Sequence, residues 1–213
     1  MTKARRLGIF KHIPTLRTKR LTLRRMYPSD YKDMYEYACL PQVTEYLLWY
    51  PHEDADQTYR YLENIQTSYK HGEFCDWAVV WNETGKMIGT CGFTSFDHEH
   101  KRAEVGYVLN PRFWGMGIAA EAVTAAMEFA FTELDIHRVE AHYIEGNDRS
   151  RRVMEKCGMT FEGMLRQYML IKGYYRNIGI CAITQDRFTP CGCYEKEIGG
   201  SWLSRFLQGA EWN

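Results

Sequence analysis

The chain lacks an excess of either charge sign: across its 213 residues, 27 Lys and Arg balance 27 Asp and Glu. Nothing therefore pulls the whole molecule toward nucleic acid or an anionic membrane, and any anion site must be local. No stretch approaches the roughly 18 apolar residues that a bilayer-spanning helix needs. Residues 1–20 hold seven Lys or Arg and no acid, but no apolar segment of roughly 7–15 residues follows. A secretory leader is not expected, and the arm reads as solvated. Proline is scarce at six, and internal repeats and low-complexity linkers are missing. The seven cysteines, Cys39, Cys75, Cys91, Cys157, Cys181, Cys191 and Cys193, are odd in number and scattered. Cys191-Gly192-Cys193 is C-x-C without a histidine partner, and His98-Glu99-His100 reads as a solvated loop, so no metal is expected. The pattern fits a reduced, cytoplasmic protein with buried thiols.

What is present is an ordinary soluble composition, 45% apolar and 25% charged, rich in aromatics at 15%. Length supports one core domain, with residues 1–14 as a basic arm, 15–188 as the domain and 189–213 as a C-terminal extension. Leu21-Thr22-Leu23-Arg24 alternates as a strand does. Ser29, after Pro28, is the expected N-cap of a helix whose buried face holds Met34, Tyr35 and Ala38. A second helix begins near Asp56, with Tyr61, Leu62, Ile65 and Tyr69 as its stripe and Gly72 as C-cap. The period then switches to two. Runs 77–81 and 87–93 flank the turn residues Asn82-Glu83-Thr84-Gly85, and a third run covers 103–109, giving three antiparallel strands. Ile118, Ala122, Ala125, Ala126, Phe129 and Ala130 restore helical spacing. A strand at 138–144, a short helix at 150–156 and a strand pair at 161–171 and 178–187 follow. After Thr189 the pattern predicts no strand; Trp202, Leu203, Phe206 and Leu207 suit a turn or two of helix.

The informative segment is a strand, Glu104-Val105-Gly106-Tyr107-Val108-Leu109, then the loop Arg112-Phe113-Trp114-Gly115-Met116-Gly117, then a helix from Ile118. First-turn amides of a helix have no internal acceptor, and the helix dipole favours an anion before them. Gly115 and Gly117 carry no Cβ to hold phosphate oxygens off the backbone, and Arg112 adds a cation. The spacing is neither G-x-G-x-x-G nor a Gly-Lys-Ser/Thr loop.

Arg112-Phe113-Trp114-Gly115-Met116-Gly117-Ile118-Ala119 resembles the acetyl-CoA signature R/Q-x-x-G-x-G/A of the GCN5-related N-acetyltransferases (GNAT). With Arg20-Leu21-Thr22-Leu23-Arg24, Asn147-Asp148-Arg149-Ser150, Phe161-Glu162-Gly163 and Lys172-Gly173-Tyr174-Tyr175-Arg176, the chain is similar to the branch that acetylates N-termini of ribosomal proteins. The resemblance implies an α+β, three-layer fold: a mixed, mostly antiparallel sheet with helices on both faces and a splayed central parallel pair. It implies acetyl-CoA as cosubstrate, without metal. Its pantetheine would pair with Val108 and Leu109 and its pyrophosphate would lie on the amides of Trp114, Gly115, Met116, Gly117, Ile118 and Ala119. Asn147 would hold the arm from the other side, with Ser150 near the sulfur.

Transfer to an amine needs a base, a donor to the thioester oxygen and an acid for the leaving thiolate. An α-amine of pKa about 7.7–8.0 costs roughly 1 kcal/mol to deprotonate at pH 7, a Lys amine roughly 4.6 kcal/mol, so a carboxylate suffices for the former. Glu162 is the first candidate base and Glu104 the second; the alternatives are a solvent-facing strand residue for Glu162 and an ion pair to Arg102 or Arg24 for Glu104. Many family members carry an acid Tyr on the short helix; here it is missing, leaving Ser150 as acid or as helix N-cap. Cys157 reads as a buried thiol before a nucleophile. Trp49, Tyr174 and Tyr175 are candidate acceptor contacts or ordinary loop packing. The acceptor implied is a protein N-terminus. A small amine or antibiotic, or a catalytically weak CoA-binding module, are the alternatives; a homodimer stays open, and neither membrane nor nucleic acid is an expected partner.

Overall fold

The computed structural model describes residues 11–72, 75–190, 192 and 194–197. Cys191, Cys193, Trp202, Leu203, Phe206 and Leu207 lie outside the described residues. Nine strands form one sheet in the order β7-β8-β6-β5-β4-β3-β2-β1-β9: β1 (Thr15–Arg17), β2 (Leu21–Arg24), β3 (Cys75–Trp81), β4 (Met87–Asp97), β5 (Arg102–Leu109), β6 (Arg138–Ile144), β7 (Thr160–Ile171), β8 (Tyr174–Thr184) and β9 (Glu195–Glu197). Neighbours are antiparallel except β5 and β6, as expected for a mixed α+β sheet with one central parallel pair. Helices α1 (Tyr31–Ala38), α2 (Pro41–Thr44), α3 (Ala55–His71), α4 (Ile118–Glu133) and α5 (Asp148–Lys156) complete the fold.

Strand alternation separates the layers. Trp77 turns its ring edge-on to Phe129 of α4, 5.6 Å between centroids, while the neighbouring Asp76 carbonyl accepts from the Tyr69 hydroxyl of α3 at 2.6 Å. Thus α1 and α3 cover one face, and α4 and α5 the other. Ile118, Ala122, Ala125, Ala126, Phe129 and Ala130 are all buried. The small side chains let the α4 backbone lie close over β4 and β5, which fixes its N-terminus beside the end of β5.

Several expectations are corrected. Ser29 caps no helix: residues Pro28–Asp30 form a 3₁₀ turn, and the Asp30 carboxylate accepts from the Tyr27 amide and from both terminal nitrogens of Arg24. On α1 the inward aromatic is Tyr37, while Tyr35 reaches out to the Glu53 carbonyl. Tyr61 of α3 is exposed rather than part of its buried stripe. Asp54 caps α3 through the Gln57 amide, and Gly72 ends it at φ +71°. The last hairpin turns at Lys172-Gly173, placing Tyr174 and Tyr175 inside β8. Glu195–Glu197 pairs antiparallel with β1, so a strand forms where the pattern predicts none.

Gly179 of β8 is paired with Tyr143 of β6, and a methyl group there would run into the buried phenol ring. Overpacking of this kind costs about 1–3 kcal/mol. Gly179→Ala is therefore expected to lower the melting temperature by about 5 °C in thermal unfolding; an unchanged midpoint would show that the ring swings aside freely.

Candidate active site

A cleft opens where β5 and β6 part. The two strands are parallel neighbours at Arg102/Arg138, Ala103/Val139 and Glu104/Glu140. Beyond that point β5 follows β4 to Leu109 and β6 follows β8 to Ile144. The β4–β5 ladder shifts register between Phe93 and Ser95, opposite the last shared pairs; such an irregularity adds bend and twist, which helps turn β5 away from β6. The resulting cavity, about 990 Å³, is lined by Tyr107, Val108 and Leu109, by Trp114, Gly115 and the first turn of α4, by Asn147 and Ser150 of α5, and by Val43, Tyr46 and Leu47 near α2.

The glycine loop forms the cavity's anion-binding end. Asn110 accepts from the Arg112 amide at 3.1 Å and starts a 3₁₀ turn, and the Trp114 indole donates to the Leu109 carbonyl at 2.8 Å. Gly115 and Gly117 sit at φ +78° and +76°, the left-handed region where a Cβ is strained. The amides of Gly115 through Ala120 make no turn or loop hydrogen bond among the described residues. A Cβ built on Gly115 would meet nothing within 4 Å. The cradle is open and its donors are free, as a diphosphate requires.

The loop is braced by a residue pair that sequence reading missed. Arg20 bonds the Glu121 carboxylate through Nε at 2.6 Å and through its own amide at 3.0 Å, and its guanidinium donates to the Met116 carbonyl at 3.0 Å. The Thr18 hydroxyl donates to the same carboxylate at 2.6 Å. Burial works to raise the Glu121 pKa, but these donors together hold it below the usual range.

Of the expected cofactor residues, Val108, Leu109, Trp114, Gly115, Gly117, Ile118, Ala119, Asn147 and Ser150 line the cavity, whereas Arg112 and Met116 do not. Arg112 is an exposed side chain 3.9 Å from Glu36. The cations along the cavity are Arg149, which stacks over the Trp114 ring at 4.7 Å, with Arg152 and Lys156. Asn147, not Ser150, caps α5, its side chain accepting from the Ser150 amide at 3.2 Å. The Ser150 hydroxyl, released from capping, lies 2.9 Å from the Tyr107 hydroxyl, which also donates to the Ser150 carbonyl. Burial raises the Tyr107 pKa, so the phenol is a neutral donor. Tyr107 was missed because alternation marks it only as an inward strand residue.

The candidate bases separate. Glu162, at a bulge of β7, is gripped by both terminal nitrogens of Arg138, at 2.8 and 2.5 Å, and this pairing lowers its pKa. Its side chain is outside the cavity lining. Glu104 stands at the last shared β5–β6 pair and also lies outside that lining. Its expected cation partners are engaged elsewhere, Arg102 with Asp97 and Arg24 with Asp30. Instead Glu104 Oε1 faces His142 Nδ1 at 3.4 Å, and the Ser95 hydroxyl donates to Oε2 at 3.5 Å. Cys157 is buried with its thiol pushed up to about 11 by desolvation, which suits packing rather than attack. Trp49 packs on His52, 5.2 Å between rings, and Tyr174 and Tyr175 are exposed; these three do not reach the cavity. No group of His, Cys, Asp and Glu among the described residues is arranged to hold a metal ion, and no helix there is long and apolar enough to cross a membrane.

The comparisons agree with this geometry. The model of the acetyltransferase (GNAT) domain matches residues 20–160. The chain is 36% identical over 159 residues to the N-acetyltransferase p20 of Bacillus licheniformis, covering 75% of this chain and 89% of that one. It is 27% identical over 192 residues to the ribosomal protein uS5-alanine N-acetyltransferase of Escherichia coli, covering 86% and 98%. It is 24% identical over 168 residues to the spermidine N(1)-acetyltransferase of Vibrio cholerae, covering 79% and 95%. Among solved structures, a GNAT-family acetyltransferase from Bacillus anthracis superposes with a TM-score of 0.73 at 24% identity, over 81% of this chain and 99% of that one. A sheet split at its one parallel pair, a double-glycine cradle before an Ala-rich helix and a matched family model lead to one assignment: the chain belongs to the GNAT acetyltransferases, enzymes that move an acetyl group from acetyl-CoA to an amine.

Proposed function

We propose that the preferred acceptor is the N-terminal α-amine of a protein, and that Glu104 is the base that prepares it. The observation that carries this reading is the position of Glu104 at the root of the split, held by Ser95 and His142 and not by a cation. A carboxylate in that setting is matched to an α-amine, which needs only about 1 kcal/mol to lose its proton at pH 7, and poorly matched to an aliphatic amine near pKa 10.4. Glu162, tied to Arg138, is a weaker base and is left to structure. The acetyl-CoA diphosphate rests on the amides of residues 115–119, the expected Trp114 amide being taken by the Pro111 carbonyl at 3.1 Å, and the Val108 region of β5 supports the thioester arm. Tyr107 and Ser150, hydrogen-bonded on the α5 side of the sheet, stabilise the departing thiolate in place of the missing helix Tyr. Base and acid then stand on opposite faces, with the thioester between them.

A second reading, a polyamine acceptor, is favoured by the spermidine N(1)-acetyltransferase of Vibrio cholerae among the relatives. Thiol release measured with Ala- and Ser-starting peptides, spermidine and an aminoglycoside separates them. Peptides are expected to exceed spermidine in kcat/KM by at least about tenfold; the reverse order would replace the reading. Acetyl-CoA alone at 100 Kd is expected to add about 2.7 kcal/mol of stability, and that gain without any thiol release would mark a CoA-binding module.

The cradle has its own test. Gly117 is the N-cap of α4 at φ +76°, and a Cβ there costs about 1–2 kcal/mol. Gly117→Ala is expected to weaken acetyl-CoA by about tenfold in a titration, whereas unchanged affinity would place the diphosphate elsewhere.

A further inference from the structure

The chemistry-bearing residue that the reaction scheme leaves unused is His142. It projects from β6 on the same face as Glu140 and Arg138, two and four residues earlier. That is also the face on which Glu104 meets it across the split. Its Nδ1 is 3.4 Å from Glu104 Oε1 and its Nε2 is 3.7 Å from Glu140 Oε1. The Nε2 atom is sealed from solvent and makes no hydrogen bond. A buried ring nitrogen without a partner is costly, about 1–3 kcal/mol, and such sites call for an explanation. The side chain is 19% exposed and has a carboxylate beside each ring nitrogen, although Ile180 of β8 is its cross-strand partner.

The register supplies an explanation. Glu104 and Glu140 are the last residues that β5 and β6 share. Two residues further along, His142 stands on β6 and Gly106 on β5, at the point where the strands separate. Gly106 presents no side chain; a Cβ built there would meet Thr94 Cγ2 at 3.0 Å. The imidazole therefore lies beside the split on the face that carries Glu104, between one carboxylate that opens toward it and one that Arg138 anchors at 3.1 Å.

Resting on the transferase reading above, we propose that His142 is the proton-holding partner of Glu104: the proton shed by the acceptor ammonium passes through Glu104 to the imidazole and stays there while the amine attacks. The ammonium becomes a neutral amine. The two carboxylates and the neutral ring, together −2, become two carboxylates and an imidazolium, together −1. The amine nitrogen then forms its bond to the thioester carbon, and the C–S bond breaks with its electron pair on sulfur. The second proton on that nitrogen is lost to water as the amide forms, and the thiolate is stabilised from the Tyr107 and Ser150 side. The charged ring would have both nitrogens as donors, toward Glu104 and Glu140, so the orphaned Nε2 gains a role only in the proton-loaded state. The other charges facing the group are Arg138 on its own strand, Arg102 on β5, which interacts with both Glu140 and Arg138, and Glu162 on β7, already taken by Arg138. His142 acts through Glu104 and is a positioning residue, not a group that touches the acceptor.

The test is the pH profile of His142→Gln and His142→Asn with an Ala-starting peptide, beside acetyl-CoA affinity by titration. Both variants are expected to lose about 10–100-fold in kcat at pH 7 with acetyl-CoA binding unchanged, and to recover most of it above about pH 9, where the α-amine is neutral by itself. A deficit that is constant from pH 6 to about 9.5, or no deficit, overturns the proposal while leaving the transferase reading intact. Absence of thiol release by the parent chain with every acceptor overturns both.

Discussion

Glu104→Gln is expected to lower kcat/KM for a peptide acceptor by about 10²-fold at pH 7 while leaving acetyl-CoA affinity unchanged. The magnitude follows from the acceptor. General-base assistance is worth about 10²–10⁴-fold, and the lower end applies here because roughly a tenth of an α-amine is already neutral at pH 7. The amide is isosteric and keeps a hydrogen-bonding oxygen for Ser95, which donates to the carboxylate at 3.5 Å, so little packing is disturbed. The deficit should shrink as pH rises toward 9, because the substrate then deprotonates without help. Glu162→Gln is the matched comparison: its carboxylate is occupied by Arg138, and its loss is expected to lower stability by about 1 kcal/mol or less with kcat/KM at pH 7 changed less than about threefold. Steady-state kinetics on the two variants decide between the carboxylates, and a larger loss in the Glu162 variant would reverse their roles.

The route from sequence to site shows which physical signals are local. The β5–loop–α4 unit is legible because three local cues coincide: alternation through Leu109, two glycines that the structure places at positive φ, and helical spacing from Ile118 onward. The splay is legible only through resemblance, since no pattern in β5 or β6 announces that their pairing stops at Glu104 and Glu140. The partners that decide the chemistry are set by register across the sheet, and their separations show why they escape inspection. Glu162 and Arg138 are 24 residues apart, Tyr107 and Ser150 are 43, and Arg20 and Glu121 are 101. Side-chain type offered both Glu162 and Glu104 as bases, Glu162 first; only the topology hands one to an arginine and the other to a histidine. Of the two alternatives for Ser150, acid or cap, the cap does not hold: serine and asparagine are both good at that position, and the chain uses Asn147. The strand at Glu195–Glu197 was invisible because Glu-Lys-Glu carries no apolar alternation; charged residues suit an edge strand, where they discourage pairing with another chain.

The largest stability effect is expected at Asp76, through pH. Its Oδ1 is sealed from solvent on the α1–α3 side of β3 and has no hydrogen-bond partner, and Gly92 lies so close that a Cβ there would meet the Asp76 backbone and, at 2.6 Å, Oδ1. Desolvation raises the carboxyl pKa to about 7, opposed only in part by the Trp77 amide. An unfolded Asp titrates near 3.9. Between about pH 4 and pH 7 the folded chain thus holds a proton that the unfolded chain has lost. Its stability falls by about 1.4 kcal/mol per pH unit across that window and is flat above it. The full difference is about 4 kcal/mol, an upper value because some relaxation around the carboxylate accompanies ionisation. Asp76→Asn has no proton to lose. It is therefore expected to match the parent near pH 4 and to exceed it by about 2–4 kcal/mol at pH 8, or about 5–10 °C in melting temperature. Thermal unfolding of both proteins across that range checks the sign as well as the size. A gap that stays constant with pH would mean that the carboxylate is ionised and solvated in the folded protein. Tyr69 of α3 ties the Asp76 carbonyl to the helix layer. Charging this one buried group is therefore expected to loosen that layer, with faster amide exchange along α3 in the parent than in the asparagine variant at alkaline pH as the measurable sign.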